Sequence, residues 1–138
     1  MEHLERKVRQ QGQCVSSPNQ NAWFPAPARG AESLEYQRRQ AANACAGCPV
    51  RTGCLTVALE YEIDEGASWG IWGGVCARDR RQAIHGATQR PHCRPDATYL
   101  AHRLLAALSH GPCTELDPLT ELGIWSLRRE VHSNGCIA

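Results

Sequence analysis

Residues 45–54 read C-A-G-C-P-V-R-T-G-C, and residues 69–74, which follow an apolar stretch, read W-G-I-W-G-G. The first segment sets Cys45, Cys48 and Cys54 at short spacings. A fourth cysteine, Cys14, lies far upstream of them. Thiolates that converge from two distant parts of a chain can hold a metal ion or an iron–sulfur cluster. These four cysteines therefore form the candidate site around which the domain would be organised.

The overall composition bounds the class of protein. The chain has 138 residues, eight cysteines and a formal net charge of +1, which suits one small domain with an appendage and excludes a general nucleic-acid coat. The N-terminal segment lacks the apolar core of a signal peptide, and no apolar run approaches the roughly eighteen residues of a membrane span. We therefore expect a cytoplasmic protein whose thiols stay reduced unless they bind a metal.

Helical patterns flank the cysteines. Residues 32–44 contain no glycine or proline and predict a helix that points Cys45 inward from its end. Residues 50–64 predict a second helix, for which Pro49 suits the first position. Three glycines within residues 69–74 favour a tight turn, and residues 76–85 resume a helical pattern. So small a domain is marginal alone, and a group bonded to several of its parts would stabilise it.

Two other readings of the cysteines compete with an iron–sulfur cluster. Structural zinc usually takes two close cysteine pairs, whereas this chain has one such pair, a five-residue gap and a distant single cysteine. Alternatively, Cys45 and Cys48 could form a redox-active C-x-x-C, with Cys45 attacking and Cys48 resolving, although no βαβ pattern surrounds them. Spacing alone favours iron–sulfur over zinc and leaves the thiol–disulfide oxidoreductase open. The remaining cysteines are expected to behave as small apolar residues: Cys76, Cys93, Cys113 and Cys136.

The joint pattern C-x₃₀-C-x₂-C-P-V-R-T-G-C-L-x₃-L-E, followed by G-I-W-G-G, resembles the WhiB-like family of transcription regulators from actinobacteria and their phages. The resemblance covers about residues 10–86. It implies a small all-α fold wrapped around a [4Fe–4S] cluster that is sensitive to oxygen and nitric oxide. By that resemblance the cluster ligands, and hence the metal ligands, are Cys14, Cys45, Cys48 and Cys54.

The resemblance also implies a function. The protein would be a redox- or nitric-oxide-responsive transcription regulator rather than an enzyme. It would bind the C-terminal region of the primary sigma factor of RNA polymerase and act at promoters. The residues expected to face that partner are the loop aromatics Trp23 and Phe24, Trp72, and the glycines of its turn, Gly70, Gly73 and Gly74. A tryptophan on a glycine-framed turn also fits an interface hot spot, because it offers a large rigid surface. The alternative is that the aromatics anchor the loop or shield the cluster.

Two parts of the chain depart from the family pattern. There is no Arg-Gly-Arg triplet to enter a minor groove, so weak phosphate contacts are expected instead from Arg78, Arg80 and Arg81, with a solvated helix face as the alternative. The second departure is the tail. We expect a WhiB-like domain over residues 1–88, a linker over 89–97, and a helical extension over 98–138 that is partly winged-helix-like or else a docked cap.

Overall fold

The structure is a computed structural model that describes residues 1–25, 33–88 and 94–109 and the backbone of residues 136–137. The helices are α1 (Glu2–Gln11), α2 (Leu34–Ala44), α3 (Arg51–Glu65), α4 (Ala77–Ala87) and α5 (Ala97–Leu108). Short 3-10 turns span Gln13–Val15 and Gln20–Trp23, and the two-residue strands β1 (Arg94–Pro95) and β2 (Cys136–Ile137) pair antiparallel. The predicted all-α fold class is confirmed. Within the described ranges, no helix is long and apolar enough to cross a membrane.

Local sequence explains where the helices begin and end. The Ser33 hydroxyl caps α2 by accepting the Tyr36 backbone N–H at 3.1 Å, and Asp96 caps α5 in the same way. Helix α3 ends at Gly66, which has a φ of 73°. The helices predicted over residues 32–44 and 50–64 are confirmed to within two residues. Pro49, however, does not open the second one, because Val50 is its N-cap.

Helix α3 runs through the centre of the fold. Its residues Leu55 and Leu59 are fully buried, and α5 packs along it with Leu100 and Leu104, which are also fully buried. Burial of a large aliphatic side chain stabilises a fold by about 1.5–3 kcal/mol. One apolar core is thus shared by α3, α4 and α5: Leu55, Leu59, Val75, Ala83, Ile84, Ala87, Ala97, Leu100, Ala101 and Leu104.

Part of the segment predicted as a linker is structured. The Arg94 side chain donates to Asp64 (Nε–Oδ1 3.1 Å) and Glu60 (Nη2–Oε1 3.0 Å) of α3. Its backbone lies opposite Ile137 in the antiparallel pair of β1 and β2. Helix α5 begins at Ala97, inside the same segment. Residues 89–93 lie outside the described residues. So do residues 110–135, on which the later helices of the extension and its winged-helix-like arrangement were predicted.

The glycine-rich segment forms the predicted turn. Trp72 and Val75 exchange backbone hydrogen bonds with N–O distances of 3.3 and 3.1 Å. Gly70, Gly73 and Gly74 have φ values of 67°, 60° and 77°, a region that side-chain-bearing residues rarely adopt. The Ile71 backbone N–H donates to the Trp23 carbonyl at 2.7 Å. That bond ties the turn to the loop that follows Cys14.

Two buried ion pairs fix α4 to its neighbours. Arg38 of α2 grips Asp79 of α4 through two bonds, Nε–Oδ2 at 2.8 Å and Nη2–Oδ1 at 2.9 Å. The next residue, Arg80, pairs with Glu62 of α3 with an Nη2–Oε1 distance of 2.8 Å. Removing one partner of a buried pair typically costs about 3–5 kcal/mol. Consecutive residues of α4 therefore tie together the two helices that carry cysteines at their ends.

Candidate metal centre

The four cysteines singled out in the sequence line one cavity of roughly 280 Å³. Cys14 lies in the first 3-10 turn, and Cys45 is the C-cap of α2. Cys48 follows the turn at Gly47, and Cys54 lies in the first turn of α3. All four cysteines thus lie in short turns or at helix ends, where a side chain can point into the cavity without disturbing a helix. The thiols come from both the upstream segment and the C-x-x-C region.

The cavity is a poor place for thiolates unless a cation accompanies them. Burial raises the pKa of Cys54 to about 12, although the Gly73 backbone N–H donates to its sulfur and opposes the shift. Burial also raises the pKa of Cys14, and negative charge on Cys45 and Cys48 raises that pKa further. Like charges so close together disfavour ionisation. A bound metal centre would reverse that balance, since metal binding releases the thiol protons.

The geometry differs from that of a single-ion site. Among the described residues, no three or more Cys, His, Asp or Glu side chains converge as the ligands of one metal ion do. In structural zinc sites each sulfur lies about 2.3 Å from the ion, so the four sulfurs nearly touch one another. The four cysteines line one cavity together with apolar side chains. The residues present fit a donor set of four thiolates for a bound metal centre.

The turn forms one wall of the cavity. Trp72 and Gly73 line it, and the Arg51 side chain lies between α3 and the turn, with its Nε donating to the Gly73 carbonyl at 3.4 Å. A Cβ built on Gly73 would lie 2.5 Å from the Arg51 carbonyl oxygen and 2.7 Å from Leu55 Cβ. Only glycine permits so close an approach at this position. The wall is therefore held directly against the helix that carries Cys54.

The aromatic residues divide into a buried anchor and an exposed group. Trp23 is 8% exposed and packs beside Cys45, so it anchors the loop and offers almost no surface to a partner. Phe24 is 60% exposed and Trp69 is 72% exposed, while Trp72 is half-buried. The prediction that Trp23 contacts a partner is corrected for this reason. We call Phe24, Trp69 and Trp72 the aromatic surface.

The glycines of the turn play different parts. Gly73 and Gly74 are buried against α3, so the prediction that they contact a partner is also corrected. Gly70 is partly exposed and lies against Phe24 and the Trp23 carbonyl. These glycines shape the turn, and its side chains provide the surface.

The three arginines predicted to contact DNA do not share one environment. Arg78 and Arg81 are exposed on α4, with His85 on the same face. Arg80 is fully buried in its pair with Glu62, so it cannot reach a phosphate, and its assignment to DNA is corrected. A helical period of 3.6 residues turns position 80 away from the face that positions 78 and 81 share.

One further cysteine lies near the site without lining the cavity. Cys76 is 6% exposed and packs with Cys45, Trp23 and Ile71. Burial raises its pKa to about 11, so the thiol stays protonated at neutral pH. This apolar environment is the one predicted for it. Cys93 and Cys113 lie outside the described residues, and only the backbone of Cys136 is described.

Two residues of the site were missed by the sequence analysis, and a third was not assigned to a partner. Arg51 lies within the quoted C-P-V-R motif, yet nothing in the spacing indicates that its guanidinium borders the turn. Trp69 is the most exposed aromatic of the surface, but the glycines around Trp72 favoured Trp72 as the residue that contacts a partner. Tyr61 lines a groove that also includes Trp69 and Trp72. Its spacing on α3 could have indicated that it lies outside the core stripe.

Comparison with known proteins places the chain in a family. A family model described as "Transcription factor WhiB" matches residues 9–83. The chain is 47% identical over 51 residues to transcriptional regulator WhiB7 of Mycolicibacterium smegmatis, which covers 37% of this chain and 43% of that protein. It is 42% identical over 48 residues to transcriptional regulator WhiB2 of Mycobacterium tuberculosis, covering 35% and 49% of the two chains. It is 41% identical over 44 residues to transcriptional regulator WhiB of Streptomyces coelicolor, covering 32% and 46%.

The matches to these relatives are partial, whereas the family model covers more than half of the chain. The chain spans less than half the length of each of these curated relatives. No solved structure shows a significant match to it. Helix α5, which completes the core, lies beyond the segment that the family model matches. Because that segment is more than half of the chain and contains all four cysteines of the cavity, the protein belongs to the WhiB family of transcription factors.

Proposed function

We propose that this protein is a [4Fe–4S]-dependent transcription regulator, responsive to redox state or nitric oxide, that binds the C-terminal region of the primary sigma factor and acts at promoters. One observation carries the proposal. The cavity lined by the four cysteines is also lined by Phe24 and Trp72, so the candidate cluster site and the aromatic surface share a wall. A partner seated on that surface would lie directly over the cavity.

The chain supplies a suitable environment for the cluster. Four cysteine thiolates are the usual ligands of a [4Fe–4S] cluster, here Cys14, Cys45, Cys48 and Cys54. When bound, such a cluster would supply a centre that reacts with oxygen or nitric oxide. The free N–H groups at the start of α3 favour an anionic group beside Cys54. Val50 and Ile71, both buried, keep water from the cavity wall.

The aromatic surface has the composition of a protein-binding site. Trp69 and Phe24 expose most of their area, and the Trp72 indole N–H donates to the Trp69 carbonyl at 3.1 Å. That bond fixes the Trp72 ring relative to the backbone of Trp69. Exposed aromatic rings on a constrained backbone are typical of interface hot spots, because little side-chain entropy is lost on binding. The groove lined by Trp69, Trp72 and Tyr61 extends the same surface along α3.

The structure does not favour the two alternatives. A C-x-x-C oxidoreductase needs an accessible attacking thiolate, whereas Cys45 is 6% exposed. A zinc-stapled module needs ligands that converge on one ion, and among the described residues no three or more Cys, His, Asp or Glu side chains do so. Membership of the WhiB family of transcription factors does not depend on which of these functions is correct.

The test of the proposed function is the Trp72→Ala variant of the full chain, purified without oxygen. If the Trp72 ring inserts into the sigma factor, its loss should weaken binding by about 2 kcal/mol or more, which is roughly thirtyfold in Kd. Iron content and visible absorbance should stay unchanged because no cluster ligand is altered. Calorimetry with the isolated C-terminal sigma region measures the first quantity, and absorbance measures the second.

Trp69→Ala is the matched control for that experiment. Trp69 belongs to the aromatic surface but does not line the cavity, so its loss should also weaken binding and leave cluster stability in air unchanged. Unchanged sigma affinity in Trp72→Ala, together with faster bleaching in air, would show that Trp72 is a lid and not an interface residue. Absence of iron–sulfur absorbance in the parent protein would overturn the cluster itself.

A separate prediction concerns DNA. We propose that Arg78 and Arg81 make sequence-independent phosphate contacts from the exposed face of α4. Changing both to Ala should reduce the slope of log K against log salt by about 2 for the sigma complex on promoter DNA, because each phosphate contact contributes about 0.9. Binding to sigma alone should not change.

Arg39→Ala on α2 is the control, since Arg39 is also exposed but lies on another helix. Its salt slope should match that of the parent. Filter binding or fluorescence anisotropy at several salt concentrations measures the slope. An unaltered slope in the double variant would assign Arg78 and Arg81 to a solvated surface.

A further inference from the structure

Arg80 uses every hydrogen-bond donor of its guanidinium inside the protein. An arginine has five N–H donors in a planar fork. Nε lies 3.0 Å from Glu62 Oε2, and Nη2 lies 2.8 Å from Glu62 Oε1. The other three donors reach backbone carbonyls, from Nη2 to Trp69 at 2.8 Å and from Nη1 to Gly70 at 2.9 Å and Val75 at 2.6 Å. A buried group so completely satisfied fixes the geometry of all its partners.

The three carbonyls lie at both ends of the glycine-rich turn. Trp69 and Gly70 enter the turn, and Val75 leaves it. Within the turn, Trp72 and Val75 exchange two backbone bonds, and the Trp72 indole N–H donates to the Trp69 carbonyl. Three of its residues are glycines, whose backbone is the least restricted of all residues. The guanidinium therefore adds three polar contacts that connect the two ends of this segment to each other and to Glu62.

The anchor of the guanidinium is rigid. The Glu62 carboxylate lies on the central helix α3 and also accepts the Ser68 hydroxyl at 3.1 Å. On the far side, the Trp69 carbonyl accepts both Arg80 and the Trp72 indole N–H. A continuous hydrogen-bonded chain thus runs from α3 through Arg80 to the Trp72 ring.

We propose that Arg80 is a positioning residue for partner binding, which fixes the turn of residues 69–75 on Glu62 in the shape that presents Trp72. This inference rests on the proposed function, because it takes the turn as the sigma-binding element. Lysine could not replace arginine here. It carries its charge on one nitrogen with three donors, and so cannot span the carboxylate and three separate carbonyls.

The test uses Arg80→Lys in the full, cluster-loaded chain. Lysine keeps the charge for Glu62 and gives up most contacts to the turn. Amide hydrogen exchange in residues 69–75 should accelerate about tenfold or more, since hydrogen bonds to charged groups are among the stronger ones. Sigma affinity should fall about tenfold, while iron content and exchange in α5 stay at parent values. Arg39→Lys, at an exposed position on α2, is the control and should change neither quantity.

Glu62→Asp covers the case in which Arg80→Lys fails to fold. It keeps the carboxylate charge for Arg80 and shortens the anchor by one methylene, so exchange in the turn should again rise selectively. Selective acceleration with weaker sigma binding, in either variant, supports the proposal. Parent-like exchange in the turn of a folded variant, or looser exchange with parent-like sigma affinity, overturns it.

Failure of the proposed function is separable from failure of this inference. If the parent chain does not bind the sigma region, the proposed function fails on that measurement alone, and the role of Arg80 in partner binding fails with it. If the parent binds and Arg80→Lys binds equally well with a loosened turn, only the role of Arg80 is overturned.

Discussion

Replacing Cys14 with Ser should leave the protein almost without iron. Loss of an outer-shell partner alone typically lowers metal affinity by about 10–100-fold, and loss of a ligand should cost more. Helical content should fall with the iron, because the cluster would join Cys14 of the N-terminal segment to the cysteines at the ends of α2 and α3. Iron assay, visible absorbance and far-ultraviolet circular dichroism of anaerobically prepared protein measure the result. Ser variants of the other three ligands should behave alike: Cys45, Cys48 and Cys54.

Cys76→Ser is the control for the ligand variants. Cys76 is also buried and lies beside the site, but it does not line the cavity. It is the N-cap residue of α4, a position that serine favours, so the substitution should be tolerated locally. Iron content should equal that of the parent. Full iron loading in Cys14→Ser, or iron loss in Cys76→Ser, would contradict the assignment of the four ligands.

The sequence predicted the parts of the site that depend on local pattern. Short cysteine spacing and helix ends indicated where Cys45, Cys48 and Cys54 would lie, because a helix boundary follows from caps and from Gly or Pro. The glycine content of residues 69–74 likewise predicted the turn. The distant Cys14 was included as a fourth thiol of the same site, and the family resemblance implied the same set of ligands. All four residues do line the one cavity.

The errors concern exposure, which a local pattern does not determine. Arg80 lies in a run of charged residues that suggests a solvated face. Its guanidinium is nevertheless buried in an ion pair with Glu62, eighteen positions earlier in the chain. Trp23 and Phe24 are neighbours with similar side chains, and only the second is exposed. The exposure of each residue depends on which distant element packs against it. That packing could not be predicted from the local sequence.

The tail shows the same limit. A linker was predicted before the extension because of two prolines and a lack of periodicity. Helix α5 nevertheless packs along the whole centre of the fold, and its Leu100 and Leu104 are as buried as the leucines of α3. The sequence analysis predicted a helical extension from residue 98, with a docked cap as one alternative. It could not identify the surface that α5 covers, because α3 and α4 form that surface jointly.

The Gly73→Ala variant should be the most destabilising change in the turn. A non-glycine residue with this positive φ costs about 1–2 kcal/mol. The new methyl group would also lie 2.5 Å from a backbone oxygen of α3 and 2.7 Å from Leu55 Cβ, and such overpacking typically adds about 1–3 kcal/mol. Together these effects predict a loss of about 2–5 kcal/mol. The melting temperature should then fall by about 8–20 °C.

Gly66→Ala separates the two causes of that loss. Gly66 has a φ of 73°, close to that of Gly73, but a Cβ there would meet no atom within 4 Å. It should therefore lose only the conformational contribution, about 1–2 kcal/mol, with a fall of about 4–8 °C. Iron should be retained in Gly66→Ala and partly lost in Gly73→Ala, because relief of the clash would move the N–H of residue 73 away from the Cys54 sulfur. Anaerobic thermal melts of cluster-loaded protein measure both variants. Equal melting temperatures of the two variants would show that the turn does not pack closely against α3. That result would contradict the close packing that forms the wall shared by the cavity and the aromatic surface.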